Sequence, residues 1–258
     1  MEIGMEVSTV AQVEAIAKLG VRHAFLGTHV KNFEAIMAKL EECGIICDTL
    51  HAPFHAINDM WSEDEEKGAA ELAAQKVSID LCASYGVPIV IIHVSSGRPM
   101  PPINEKGLAR YDSLVAYARE KGVRIAFENL RYVENLDLLL RRYPDMGLCW
   151  DTGHENCYTP GVRYLKLYGD RVIALHVHDN ACGVDTDDHV LPFDGKINFE
   201  TVTDDLAAID CRCTLMLEIG RHCSIGGKAI YEAMSYDEYY GRALNAAKRL
   251  SDMVEAKR

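Results

Sequence analysis

No stretch of this chain approaches the roughly 18 consecutive apolar residues that a membrane-spanning helix requires, so no membrane partner is expected. The opening Met1-Glu-Ile-Gly-Met-Glu6 lacks both the positive n-region and the apolar h-region of a secretory signal, which points to a cytoplasmic protein. Cys-x-x-Cys pairs are also missing, which argues against a thiolate zinc ribbon. The nine cysteines are odd in number and scattered through apolar segments, so reduced, mostly buried thiols are expected rather than a disulfide scaffold. Basic residues are in deficit: 27 Lys and Arg against 39 Asp and Glu leave a net charge of −12, with no basic cluster. Neutralising phosphates supplies most of the affinity for duplex DNA, so a nucleic-acid partner is not expected. Nor does a glycine-rich phosphate-binding turn follow the first apolar run, as a dinucleotide-binding sheet would require.

What is present is alternation. With 258 residues, 48% of them hydrophobic, the chain can bury a sizeable core. Short apolar runs at 3–7, 21–26, 45–50, 88–93, 124–128, 147–151, 172–177 and 214–219 read as strands. Amphipathic stretches between them read as helices, stopped by glycines such as Gly20, Gly44, Gly86 and Gly122. Residues 88–93 are almost unbroken Val and Ile, the pattern of a parallel strand buried on both faces. Further helices are expected to be capped by Asn104, opened by Pro160 and closed by Gly169, with an irregular stretch over 179–198. The fold class is α/β. Eight strand–helix units in about 250 residues predict a single (β/α)8 TIM barrel as one domain over 1–258; an open doubly wound sheet alternates in the same way.

The strand ends share a chemistry. His51 follows the third strand, His93 ends the fourth, Glu128 the fifth, Asp151 the sixth, His176 the seventh and Glu218 the eighth. A tight Thr152-Gly153 turn is expected to bring His154 back beside Asp151. In a barrel of this type the active site lies at the C-terminal strand ends. Three carboxylates gathered there are costly without a cation to neutralise them, so a divalent metal is the expected cofactor. Oxygen and nitrogen ligands without thiolate suit Mn²⁺, Zn²⁺, Mg²⁺ or Co²⁺, and imidazole among them favours Mn²⁺ or Zn²⁺.

Phe127-Glu-Asn129, Trp150-Asp-Thr-Gly-His154, His176-Val-His-Asp179 and Asp188-His-Val-Leu-Pro-Phe-Asp-Gly195 together resemble the motifs of the xylose-isomerase-like TIM-barrel superfamily. That superfamily holds sugar and sugar phosphate isomerases and epimerases, and also the endonuclease IV-type enzymes that cut DNA at abasic sites. Resemblance to the ketose epimerase branch implies one metal bound by Glu128, Asp151, His176 and Glu218, with Glu128 and Glu218 also acting as acid and base. The substrate would be a sugar or sugar phosphate, contacted by His51, His93, His154, His189 and Arg221. A proton beside a carbonyl is too weakly acidic for an unaided carboxylate, and metal stabilisation of an enediolate supplies the help.

Resemblance to the endonuclease branch implies a trinuclear zinc site in which His51, His93, His154, Asp187 and His189 join the ligands. Suitable residues stand at all nine of its positions, while the acidic charge opposes a DNA substrate. The epimerase branch often carries an arginine shortly after the seventh-strand histidine. His178-Asp-Asn-Ala181 has none, and Arg221 is the candidate to replace it. Of Trp61 and Phe54, candidates for an apolar wall against a sugar ring, Phe54 in particular is assigned to core packing. Cys182 and Cys223 are not expected to be nucleophiles, and pairing of subunits through barrel helices stays open.

Overall fold

The apolar runs become strands and the amphipathic stretches wrap around them, over residues 1–258 of the computed structural model. In chain order these are β1 (Ile3–Glu6), α1 (Val10–Lys18), β2 (His23–Gly27), α2 (Phe33–Glu42), β3 (Ile46–His51), α3 (Glu65–Tyr85), β4 (Ile89–His93) and α4 (Glu105–Lys121). There follow β5 (Arg124–Glu128), α5 (Val133–Arg142), β6 (Gly147–Asp151), α6 (Thr152–Tyr158), α7 (Tyr164–Tyr168) and β7 (Val172–His176). The chain ends with α8 (Phe199–Ala208), β8 (Leu215–Leu217), a small hairpin of β9 (Ser224–Ile225) and β10 (Lys228–Ala229), and α9 (Tyr236–Glu255).

All neighbours in the main sheet pair in parallel, in the order β7-β6-β5-β4-β3-β2-β1-β8. The ring is completed between its two ends by one isolated parallel bridge, Val177 with Leu217. There Val177 donates to the Met216 carbonyl at 2.8 Å, and Glu218 donates to the Val177 carbonyl at 3.2 Å. The result is the predicted (β/α)8 barrel. No helix is long and apolar enough to cross a membrane. All nine cysteines are free; four are buried, four half-buried, and only Cys182 is exposed.

Local chemistry explains most element boundaries. The Asn104 side chain accepts from the Gly107 amide at 2.8 Å and starts α4, as its residue type predicts. Gly122, at φ 70°, ends that helix in the left-handed conformation that only glycine adopts cheaply. Two helix-interior glycines serve packing instead. A methyl at Gly68 would overlap the Arg110 guanidinium, and one at Gly107 would overlap the Trp61 ring. Arg110 in turn donates to the carbonyls of Met60 and Ser62, which fixes the 3-10 turn Ile57–Trp61 below the third loop.

Three expectations need correction. Thr152 and Gly153 are not a turn: they are the first residues of α6, and the Asp151 side chain caps that helix by accepting from the His154 amide. Pro160 opens no helix. The chain stays irregular until Tyr164, and Gly169 closes the short helix α7, as expected, and begins a 3-10 turn. Strand β8 is only three residues long, so Glu218 lies one position beyond it.

Candidate metal centre and active site

Glu128, Asp151, His176 and Glu218 each come from the end of a different strand, and the parallel register brings the ends together. His93 and Glu128 are register partners between β4 and β5, as are Asp151 and His176 between β6 and β7. The ligand atoms of Glu128, Asp151, His176 and Glu218 all lie within 4.8 Å of one another. His176 sits among them, its Nδ1 2.7 Å from Glu128 Oε1 and 3.2 Å from Glu218 Oε2. Its ring is held by stacking on Phe25 of β2, centroid to centroid 4.5 Å.

Two further groupings flank this one. His51 and His93 point their Nε2 atoms at Glu128 Oε2, at 3.3 and 2.8 Å. On the other side His154, His178, Asp187 and His189 converge, with Asp187 Oδ2 3.1 Å from His154 Nε2 and 3.3 Å from His189 Nε2. All nine positions considered from the sequence therefore meet at one mouth. His178, absent from that set, is a tenth. It is fully buried, its Nε2 3.2 Å from Asp151 Oδ1, and its ring stacks on His189 at 4.1 Å. The loop that carries Asp187 and His189 is fastened by Asp179, whose carboxylate accepts from the amides of Asn180, Phe193, Gly195 and Ile197.

The donor set fits a metal on two independent grounds. First, three imidazoles are already oriented as ligands. Nδ1 of His51, His154 and His189 lies 2.7, 3.1 and 3.2 Å from the main-chain carbonyls of Ala52, Asn129 and Glu218. A carbonyl can only accept, so Nδ1 carries a proton and Nε2 is the nitrogen turned to the mouth, the orientation that a metal-bound histidine takes. Second, several buried polar atoms have no hydrogen-bond partner: Asp151 Oδ2, His176 Nε2, both ring nitrogens of His178, Asp187 Oδ1 and Glu218 Oε2. Unpaired buried acceptors at this density are costly, and a cation among them removes the cost.

Electrostatics agree. Burial opposes ionisation of Glu128 and Glu218, yet the surrounding histidines, His176 foremost, hold both carboxyls below the ordinary range. Burial likewise opposes charging His154, but Asp151 and Asp187 raise its pKa to about 10. His176 and His189 are driven well above the usual imidazole value, against their burial, by the carboxylates of Glu218 and Glu128 at His176 and of Glu218 and Asp187 at His189. Protons on imidazole thus compensate the carboxylates in the bare protein, where a metal would do so in the loaded one. The Cys149 thiol behind His176 is pushed up to about 12 by burial, so it is no thiolate at neutral pH.

A cavity of about 270 Å³ opens above these residues, with Phe54, Ser96, Arg131 and Tyr158 in its walls. Phe54 packs against the core, as assigned, and its ring also stacks on His93 at 4.4 Å and lines the cavity. Trp61 is a core residue, 1% exposed, and donates from its indole to the Val94 carbonyl. Arg221 stands outside the cavity lining, donating to the carbonyls of Glu232 and Met234 and lying over the Tyr236 ring. Glu6 was not foreseen. It ends β1, and the pairing of Met5 with Leu217 sets it beside Glu218. Burial, then the Glu218 charge, raises the Glu6 pKa to about 7. A second cavity of similar volume lies at the opposite barrel end, around Asp48 and Cys213, and gathers no comparable ligand set.

A parallel eightfold barrel with carboxylates and imidazoles converging at its C-terminal mouth belongs to the TIM barrels that work from that face. Within that class the chain belongs to the xylose isomerase-like TIM barrel family, whose model matches residues 13–250. The uncharacterized protein y4fM of Sinorhizobium fredii is 34% identical over an alignment of 199 residues that covers 71% of this chain and 61% of that protein. The chain thus spans about three fifths of the length of this curated relative.

Among solved structures, D-psicose 3-epimerase from Clostridium cellulolyticum H10 superposes with a TM-score of 0.79 at 14% identity, covering 98% of this chain and 99% of that one. A xylose isomerase domain protein from Planctomyces limnophilus gives 0.75 at 17% identity, covering 99% and 98%. For 3-keto-D-glucoside 4-epimerase YcjR of E. coli the values are 0.73 and 14%, covering 96% and 99%. At such identities the likeness is one of fold.

Proposed function

We propose that this chain is a divalent-metal-dependent isomerase or epimerase of a sugar or sugar derivative, with Mn²⁺ or Zn²⁺ as its metal. One observation carries the reading: Glu128, Asp151, His176 and Glu218 bring their ligand atoms within 4.8 Å of one another at the mouth of the barrel. Those four residues would hold the ion. When bound, it supplies Lewis-acid stabilisation of the negative charge that develops on a substrate carbonyl oxygen.

The remaining chemistry belongs to the chain. Glu128 and Glu218 are both held as carboxylates, the form a general base needs, and each can return the proton it removes. Removal on one face and return from the other inverts a carbon; transfer by one glutamate between adjacent carbons isomerises. His51, His93, His154 and His189 offer ring nitrogens to substrate hydroxyls, and Phe54 lends an apolar face. The enclosed volume of about 270 Å³ suits a small molecule. The naming of two superposable structures as sugar epimerases lends support. Incubating the Mn²⁺-loaded protein with a ketose panel in deuterated water should exchange carbon-bound hydrogen in at least one sugar; exchange with none would overturn the reading.

A second reading is favoured by the two flanking groupings, His51, His93 with Glu128 and His154, His178, Asp187 with His189. If each held its own ion, the mouth would be a multinuclear site for phosphodiester hydrolysis at abasic DNA. Metal content separates the two readings. One ion per chain supports the epimerase; about three, with nicking of a duplex carrying an abasic site, supports the hydrolase.

A further inference from the structure

The mouth cavity has one permanently cationic side chain in its wall, and that side chain is incompletely used. Arg131 follows β5 by three residues, and its side chain is 15% exposed. Its guanidinium lies 3.6 Å from the centroid of the Tyr158 ring, which also stacks on His154 at 4.8 Å. The Tyr158 hydroxyl is tied to Asp187 at 3.0 Å. Arg131 therefore stands one aromatic ring away from the candidate metal ligands, on a platform that cannot swing. Its only hydrogen bond runs from Nε to Asp185 Oδ1 at 2.9 Å, so both terminal nitrogens remain free.

Asp185 does not neutralise this wall. The same carboxylate also pairs with Arg98, 3.6 Å from its Nε, so two guanidiniums share one negative charge. Asp187, a carboxylate of the same cavity, makes no ion pair with Arg131; its Oδ2 is taken by His154, His189 and Tyr158. Ser96, in the same cavity, uses its backbone toward Asn58, while its hydroxyl makes no hydrogen bond. A half-buried guanidinium at a cavity wall, with two nitrogens free of protein partners, is a ready bidentate site, and a planar oxyanion satisfies both at once.

We propose that the substrate carries an oxyanion, a phosphate ester or a carboxylate, at the end remote from the reacting carbon, and that Arg131 binds it with help from Ser96. This rests on the sugar isomerase reading of the same mouth and narrows its substrate class from sugars at large to anionic ones. Arg131 takes the place that sequence reasoning gave to Arg221.

The test compares D-fructose, D-fructose 6-phosphate and D-fructuronate on the Mn²⁺-loaded protein, by calorimetric binding and by hydrogen exchange in deuterated water. At least one anionic probe should bind about tenfold or more tightly than fructose, and which one does so tells phosphate from carboxylate. Arg131→Gln should weaken that probe about ten- to hundredfold and fructose less than twofold. Asp185→Asn, an exposed loop change that leaves the fold intact, should strengthen it about threefold by releasing the guanidinium. No charge preference in the wild type, a preference surviving Arg131→Gln, or a loss of affinity in Asp185→Asn would each overturn the inference. Exchange of neutral ketoses without charge preference would leave the isomerase reading standing alone. An Arg131-dependent preference without exchange of any sugar would keep the oxyanion site and remove the isomerase.

Discussion

Gly153 lies against the imidazole of His178 with no room for a methyl group: a Cβ there would overlap the ring. The first turn of α6 thus sets the position of a fully buried histidine on β7's extension. Gly153→Ala should cost about 1–3 kcal/mol in urea unfolding, because His178 must leave its place. The same variant should lose whatever ion the His154, His178, Asp187 and His189 group holds. Unchanged stability and unchanged metal content would show that His178 has other room.

Glu128 belongs to three of the five possible ligand groupings, as many as His176, so its loss should bear heavily on the metal. Glu128→Gln should remove bound metal and reduce sugar proton exchange about 10²–10⁴-fold, while circular dichroism stays that of the wild type. Metal analysis before any chelation gives the first half of the outcome. Retention of a full metal complement would sink the assignment.

Metal uptake should release protons. His154, at about 10, and His176 and His189, well above the ordinary imidazole value, hold protons at pH 7 in the bare protein, and a ligating ring must be neutral. Raised pKa values mean that apparent affinity falls as pH is lowered, by about tenfold per pH unit for each proton displaced. Calorimetry in two buffers of different ionisation enthalpy counts those protons directly; a heat independent of buffer contradicts the expectation.

Glu6 offers a stability test of opposite sign to the usual carboxylate. Its pKa is raised to about 7 by burial and by Glu218, so the folded state keeps a proton that the unfolded chain gives up near pH 4.5. Its contribution is complete below pH 4.5 and is lost as pH rises through 7. Glu6→Gln should therefore be more stable than the wild type at pH 8 by about 2 kcal/mol, given the partial exposure of Glu6, and nearly equal at pH 5. Urea midpoints of the metal-free proteins at the two pH values decide it.

Strands β5 and β6 were legible to the residue because each is a short apolar run ending in a carboxylate that must reach the mouth. Glu6 escaped for a related reason. Reading β1 as 3–7 put Val7 at its end, and a one-residue boundary error hid a strand-end glutamate of the same kind. His178 carried a signal in His176-Val-His178, since alternate residues of an extended segment share a face. Arg131 carried none, because its importance lies in Tyr158 and Asp185, which are remote in sequence. Trp61 is no wall of the cavity because the glycine that receives it, Gly107, lies on a helix remote in sequence.

The barrel is thinnest where β7 meets β8, joined through Val177 and Leu217 rather than by a full ladder. His176 and Glu218 face each other over that join at 3.2 Å, one from each side. An ion gripped by both would act as a latch on the seam, tying chemistry to mechanical closure. Amide hydrogen exchange at Val177 and Glu218 should then slow on metal loading more than at β3 or β4, making the opening of the barrel itself a gauge of whether the centre is filled.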